Sequence, residues 1–181
     1  MKEEKTAKTV RETEVRMSEL MTPEHANFLG NVFGGTILAL LDKCAYVTAS
    51  RFAGKVCVTA SFDRVDFHSP IEVGELVHMI GSVAYVGRTS IQVWIQVYAE
   101  NVQTGIIRHT NTCSATLVAI DERGKPTPVP RLKVETREDK VRYLEGKLRR
   151  ELREIQRLEL ENLIQQIHSL SDEELDEKIR N

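Results

Sequence analysis

Gly35-Thr-Ile-Leu-Ala-Leu-Leu-Asp-Lys-Cys-Ala-Tyr-Val-Thr-Ala-Ser-Arg51 is the stretch on which the fold turns. It holds no proline and no internal glycine, so it reads as one helix. Ile37, Leu38, Leu40, Leu41, Ala45, Val47 and Ala49 spread around the helical wheel. A helix apolar nearly all round is expected to be buried. Around it lie segments that read as strands: a weakly alternating one over 13–21, then 56–67, 76–86, 90–99 and 106–120. The fourth alternates cleanly, with Ile91, Val93, Ile95 and Val97 on one face and Gln92, Trp94, Gln96 and Tyr98 on the other. Gly87-Arg88-Thr89 and the 101–105 stretch suit short hairpin connections. One strand, one helix and four consecutive strands imply an α+β domain whose antiparallel sheet curves around the helix. The free edges of such a sheet are places for a partner subunit.

The chain has 181 residues, which allows one domain plus an appendage. A hydrophobic fraction of 41% is enough for a core and excludes wholesale disorder. The formal charge of −2 leaves no footprint for nucleic acid or an anionic membrane. No apolar run reaches the roughly 18 residues that a bilayer span needs, and the charged N-terminus does not read as a secretory signal. Cys44, Cys57 and Cys113 form no paired spacing. They read as buried small hydrophobes in a reducing, cytoplasmic compartment, and no metal site is expected.

Three alternating prolines, Pro126, Pro128 and Pro130, force an extended connector. The chain therefore divides into a charged N-terminal tail (1–12), a domain (13–132) and a helical extension (133–181). The extension carries 11 basic and 13 acidic residues. Val141, Leu144, Leu148, Leu152, Ile155, Leu158, Leu163 and Ile167 make an amphipathic helix over about 135–170. Ser171 and Glu174 form a capping box that starts a second helix.

Two features carry chemistry. Gly34 and Gly35 stand at the start of the central helix, where backbone N–H groups lack internal partners. They fit either a tight turn or a donor site for an oxyanion or polarised carbonyl. Asp42 sits among Leu38, Leu41, Ala45 and Ala49 on the wheel, with no Lys or Arg one turn away on that face. A carboxylate so placed is either a general base or nucleophile, or a structural acid paired across an interface. His68, His109 and Asn111 say less, and Ser50, Ser61 and Ser90 lack a nucleophile-elbow context.

Further residues carry a resemblance. The run 27–35, Leu40-Leu-Asp42, Val58-Thr59, Phe67-His-Ser-Pro70, Val73-Gly74, Gly87-Arg-Thr-Ser90, Arg108-His-Thr110 and the prolines 126–130 occur together and in order. In these residues the region 15–132 resembles the hotdog-fold acyl-CoA thioesterases of the YciA/brain acyl-CoA hydrolase type. The resemblance implies a hotdog fold, with the central helix wrapped by the sheet. It implies hydrolysis of acyl-CoA to free fatty acid and coenzyme A, with coenzyme A entering only as part of substrate and product and no separate cofactor. It puts the catalytic acid at Asp42 and the catalytic asparagine at Asn27, contributed by the opposite protomer. It makes Gly34 and Gly35 backbone donors to the thioester carbonyl, with Gly35 as the oxyanion donor. Val58 and Thr59 lie beside the reacting carbon, and Arg88, Thr89 and Ser90 meet coenzyme A. Many similar proteins carry histidine where this chain has Phe33. The resemblance further implies a homo-oligomer, a dimer at minimum and often a trimer of dimers.

Phosphates of coenzyme A need cations, for which Arg88 and Arg108 are candidates. The acyl chain is expected between helix and sheet. Similar hotdog hydratases want a histidine within the helix region, which has none. A hotdog protein that binds or senses acyl-CoA without turnover is the alternative reading, and it gives an acid at position 42 little to do.

Overall fold

The computed structural model of the chain describes residues 7–180 apart from positions 64 and 68, so His68 lies outside the described residues. The elements follow the order read above. A short strand β1 (Lys8–Thr9) precedes β2 (Val15–Leu20), helix α1 (Gly34–Ala53), β3 (Cys57–Phe62), β4 (Glu75–Val86), β5 (Ser90–Asn101), β6 (Ile106–Ala119) and a short β7 (Leu132–Lys133). Helices α2 (Arg137–His168) and α3 (Asp172–Arg180) complete the chain. Five strands form an antiparallel sheet in the order β2-β4-β5-β6-β3, which leaves β2 and β3 as edges. Helix α1 ends where Gly54 takes a left-handed conformation (φ 63°) and returns its N–H to Ser50 O.

Helix α1 lies on the concave face of the sheet. Ile37, Leu41, Cys44, Ala45, Ala49 and Phe52 meet Val77, Met79, Val83, Ile91, Val93, Ile95, Val97, Ala115 and Leu117, all fully or nearly fully buried. The helix packs tightly on β4 at Gly81. A Cβ there would lie 2.6 Å from Thr48 Oγ1 and 2.9 Å from Cys44 Sγ, so only glycine lets the helix seat at this depth. The expectation that α1 is buried on every side is corrected: Leu38 is 40% and Tyr46 44% exposed. A single sheet wraps one side of a helix, and the wheel alone does not say what covers the other.

Three register shifts interrupt the strand alternation, one of them in β4 between Val83 and Tyr85. In β3 the register shifts between Thr59 and Ser61, so Thr59 and Phe62 share the inner face. In the β5–β6 pair it shifts at Thr110: Asn111 pairs with inward-facing Val97, while His109 pairs with Tyr98. His109 and Asn111 therefore sit on opposite faces, against simple alternation.

The N-terminal region is more than a tail. Within residues 8–13, β1 pairs with β7 in parallel, and Thr13 Oγ1 accepts the Val83 N–H at 2.9 Å. The first turns of α2 likewise belong with the domain. Tyr143 packs on Tyr85 with ring centroids 5.0 Å apart, and Arg142 lies over Trp94. The chain divides into compact units at Met1–Tyr143 and Leu144–Asn181, a later division than the proline connector suggests. Helix α2 starts at Arg137 because Thr136 Oγ1 caps the Asp139 N–H at 3.0 Å. In the second unit Ser171 and Glu174 form the expected capping box, with Ser171 N–H 2.8 Å from Glu174 Oε2.

Burial pushes the Cys44 thiol up to about 11 and the Cys113 thiol up to about 12. Cys57 is raised by the same cause. A thiol reagent at pH 8 is therefore expected to leave all three unmodified in the folded protein and to modify all three in urea. Rapid labelling of the folded chain would contradict the burial.

Candidate active site

The site begins at the N-terminus of α1. Phe33 precedes the helix in an extended conformation and provides no side-chain cap. The first N–H groups, those of Gly34 and Gly35, therefore have no intrahelical acceptor and point out of the helix end. The Phe33 ring lies against Gly35: a Cβ there would come within 2.3 Å of Phe33 Cε1. Gly34 faces Phe67, whose ring would lie 3.7 Å from a Cβ. Only Gly35 is required by a neighbouring ring; a Cβ at Gly34 would meet Phe67 at ordinary van der Waals distance.

Asp42 stands two turns along the same helix, half-buried, with Leu38 and Tyr46 one turn to either side. Thr59 on β3 donates its hydroxyl hydrogen bond to Asp42 Oδ1 at 2.6 Å. The bulge at Ala60 belongs to this arrangement, because it holds Thr59 on the helix side while the strand goes on to bury Phe62. Val58 and Thr59 are exposed on the sheet edge. Asn27 lies in a tight loop closed by the Ala26–Val32 bridge. Its Oδ1 accepts the Leu29 N–H at 2.8 Å and the Asn31 N–H at 3.2 Å. Those bonds use the carbonyl end of the side chain and leave the amide end for another group.

The turn Gly87–Ser90 sits beside the start of β3, since Ser90 and Val58 both pair with Val118. The turn is closed by Gly87 N–H to Ser90 O at 2.8 Å. Exposed Arg88 lines an open depression of about 600 Å³ with Arg131, the prolines 128 and 130, and Tyr143. Arg108 does not join it. Its guanidinium is bound to Glu75 and to Pro70 O, the latter at 2.6 Å. Arg108 pairs with Ala99, whereas the Arg88 turn meets the other end of β6. Ten residues of strand, about 33 Å, separate the two ends. Within one chain the two arginines therefore stand at opposite ends of β6, and Arg108 anchors the crossing segment that leads into β4. Among the described residues, side chains fill the interface between α1 and the sheet. The exposed apolar side chains one turn to either side of the acid on α1 are Leu38 and Tyr46.

The thioesterase superfamily pattern matches residues 29–106. The protein VdlD of Helicobacter pylori is 46% identical over 145 residues, 80% of this chain and 82% of VdlD. A hexameric acyl-CoA thioesterase of known crystal structure is 38% identical, covers 83% of this chain and 96% of its own, and superposes with a TM-score of 0.79. The chain belongs to the thioesterase superfamily. An acyl-CoA hydrolase from Staphylococcus aureus, solved with butyryl coenzyme A and coenzyme A, is 31% identical to this superfamily member. It matches 91% of this chain and 100% of its own with a TM-score of 0.80. Structures of that hydrolase also exist with single alanine replacements of an aspartate, an asparagine and a threonine.

In hotdog terms α1 is the enclosed helix and β2-β4-β5-β6-β3 the wrapping sheet. Arg131 escaped the sequence reading. Its only signal was its position directly after the proline connector, which the fold brings back against the Arg88 turn. The Thr59–Asp42 bond gives a direct expectation. Thr59→Val should lower the turnover of a short acyl-CoA about tenfold, as expected for losing one hydrogen bond to a charged group, while Thr59→Ser keeps most of it. Equal rates for Val and wild type in a thiol-release assay would remove Thr59 from the site.

Proposed function

We propose that the protein hydrolyses acyl-CoA thioesters, converting acyl-CoA and water to a free fatty acid and coenzyme A. The observation that carries this reading is the half-buried Asp42, held by Thr59 on the helix whose first turn presents the Gly34 and Gly35 N–H groups. A thioester is an activated acyl group, so one base and one oxyanion site suffice. Asp42 either takes a proton from the attacking water or attacks the carbonyl itself to give an anhydride that water then opens. Gly35 N–H receives the carbonyl oxygen as it becomes an oxyanion, an effect worth about 3–4 kcal/mol per donor elsewhere. Asn27 of a second protomer orients the water or the carbonyl through its free amide end. The Staphylococcus aureus hydrolase supports this assignment by residue type, since an aspartate, an asparagine and a threonine were the positions altered there.

Val58 and Thr59 flank the reacting carbon, and the acyl chain lies along Leu38 and Tyr46. The Arg88-Thr89-Ser90 turn receives coenzyme A, with Arg131 as its second cation. On this reading Arg88→Ala raises KM for acyl-CoA about tenfold with kcat little changed. An unchanged KM would place the phosphates elsewhere. The working unit is a homo-oligomer, a dimer at minimum, built on the open β3 edge and the exposed face of α1, and we extend it to a trimer of dimers. The hexameric relative supports the higher assembly. Three thiols and no disulfide fit a cytoplasmic setting. Among the described residues no helix is long and apolar enough to cross a membrane.

The test is thiol release from short-, medium- and long-chain acyl-CoA. Turnover on any of them supports hydrolysis and reports chain length. Absence of release from all, with acyl-CoA still bound, would replace this reading with a binding or sensing protein.

A further inference from the structure

The face of the sheet turned away from α1 carries a hydrogen-bonded chain of three side chains. Ser18 on β2 pairs directly with His78 on β4, and Glu100 on β5 lies one step diagonally from His78. Ser18 Oγ is 2.7 Å from His78 Nδ1, and His78 Nε2 is 2.7 Å from Glu100 Oε2. Their neighbours Val77, Met79, Val97 and Ala99 are buried in the core, so alternation sends these three side chains outward. Ser18 is exposed, whereas His78 and Glu100 are 27% and 25% accessible. An ionised carboxylate only accepts, so Glu100 fixes the proton of a neutral His78 on Nε2. The Nδ1 lone pair then accepts the Ser18 hydroxyl. An ion pair needs only His78 and Glu100. Here the far nitrogen is aimed at an exposed hydroxyl that water could satisfy equally well. An open depression of about 390 Å³ is lined by the three residues together with Arg16, Ile80, Tyr98 and Ile107.

We propose that Ser18, His78 and Glu100 form a second nucleophilic site, which hydrolyses small carboxylic esters with an apolar acyl group. The roles are nucleophile, base and orienting acid. Ser18 Oγ adds to the ester carbonyl carbon while its proton passes to His78 Nδ1. The C–O bond to the alcohol breaks, and the alcohol leaves with that proton. Water then gives a proton to Nδ1 and opens the acyl-serine. The acid departs, and the proton returns to Ser18 Oγ. Arg16, two residues from Ser18 on the same face of β2, offers a cation to the developing oxyanion. Ile80, Tyr98 and Ile107 favour an apolar acyl group over a charged one. Because α1 lies on the other face of the sheet, this site is separate from Asp42 and independent of the reaction there.

A fluorophosphonate reads the nucleophile directly, since an unactivated serine hydroxyl is too weak to react with it. Ser18 Oγ would form the P–O bond, fluoride would leave, and the proton would pass through His78 to solvent. Peptide mass mapping of the labelled full-length protein should place the adduct on Ser18. His78→Gln should slow labelling about 100-fold, the usual size of a lost general base. Glu100→Gln, whose amide N–H holds the imidazole in the other tautomer, should slow it about tenfold and serves alone if circular dichroism shows the His78 variant unfolded. Hydrolysis of p-nitrophenyl butyrate should likewise fall about 100-fold when Ser18→Ala is added to Asp42→Asn. Absence of an adduct on Ser18, wild-type labelling rates in the folded variants, or equal ester turnover with and without Ser18 would each overturn the proposal.

Discussion

Asp42→Asn is expected to lower thiol release from acyl-CoA by about two to four orders of magnitude without unfolding the protein. The size follows from removing a group that handles the proton or forms the covalent bond in the transition state. The fold should survive because Asp42 is only half-buried and its bond from Thr59 Oγ1 can be accepted equally by an asparagine carbonyl oxygen. A melting temperature within a few degrees of wild type, together with lost turnover, assigns the chemistry to this side chain. Matching turnover in wild type and variant would remove Asp42 from the reaction while leaving the hydrolase in place. Pre-steady-state mixing separates its two roles: a burst of thiol ahead of steady turnover indicates an acyl-enzyme on the carboxylate, and no burst fits activation of water.

Arg108→Leu carries the largest expected loss of stability, about 2–3 kcal/mol at neutral pH. Glu75 is 5% exposed, and its carboxylate is held by both ends of the Arg108 guanidinium and by the Glu72 N–H at 2.8 Å. Removing the cation leaves a buried charge without its partner, which is costly. The figure sits below that for a fully buried pair because Arg108 is about one-third exposed and water screens the remainder. The hydrogen bond from Arg108 holds the Glu75 carboxyl below its ordinary value of 4.5. A depressed value in the folded state means that this stabilisation is fully present above pH 4.5 and is lost as the pH falls through the folded value. In urea unfolding, wild type and variant should therefore differ most near pH 7 and converge in acid. A difference that does not change with pH would mean that the side chain acts through packing rather than charge.

Much of this was legible in the chain itself. The period of two in 90–99 and the unbroken apolar helix around Asp42 were enough for the layers and their order, because both record burial directly. What escaped was of another kind. No bulge disturbs composition, so a strand with one extra residue reads like any other. Simple alternation accordingly put His109 and Asn111 on one face. The Arg108–Glu75 pair joins residues 33 apart on strands separated by β5, and no local spacing records it. The wheel also does not separate the apolar residues of α1 that the sheet covers from Leu38 and Tyr46, which stay exposed.

The extra residue in β3 acts as a phase shifter. Ahead of Ala60 the strand delivers Thr59 to the acid; beyond it, Phe62 reaches the core on the same side. Were the strand regular through Ala60, alternation from Thr59 would instead turn Ser61 inward and Phe62 to solvent. The chemistry and the packing of one strand can therefore be retuned separately, from either side of a single alanine.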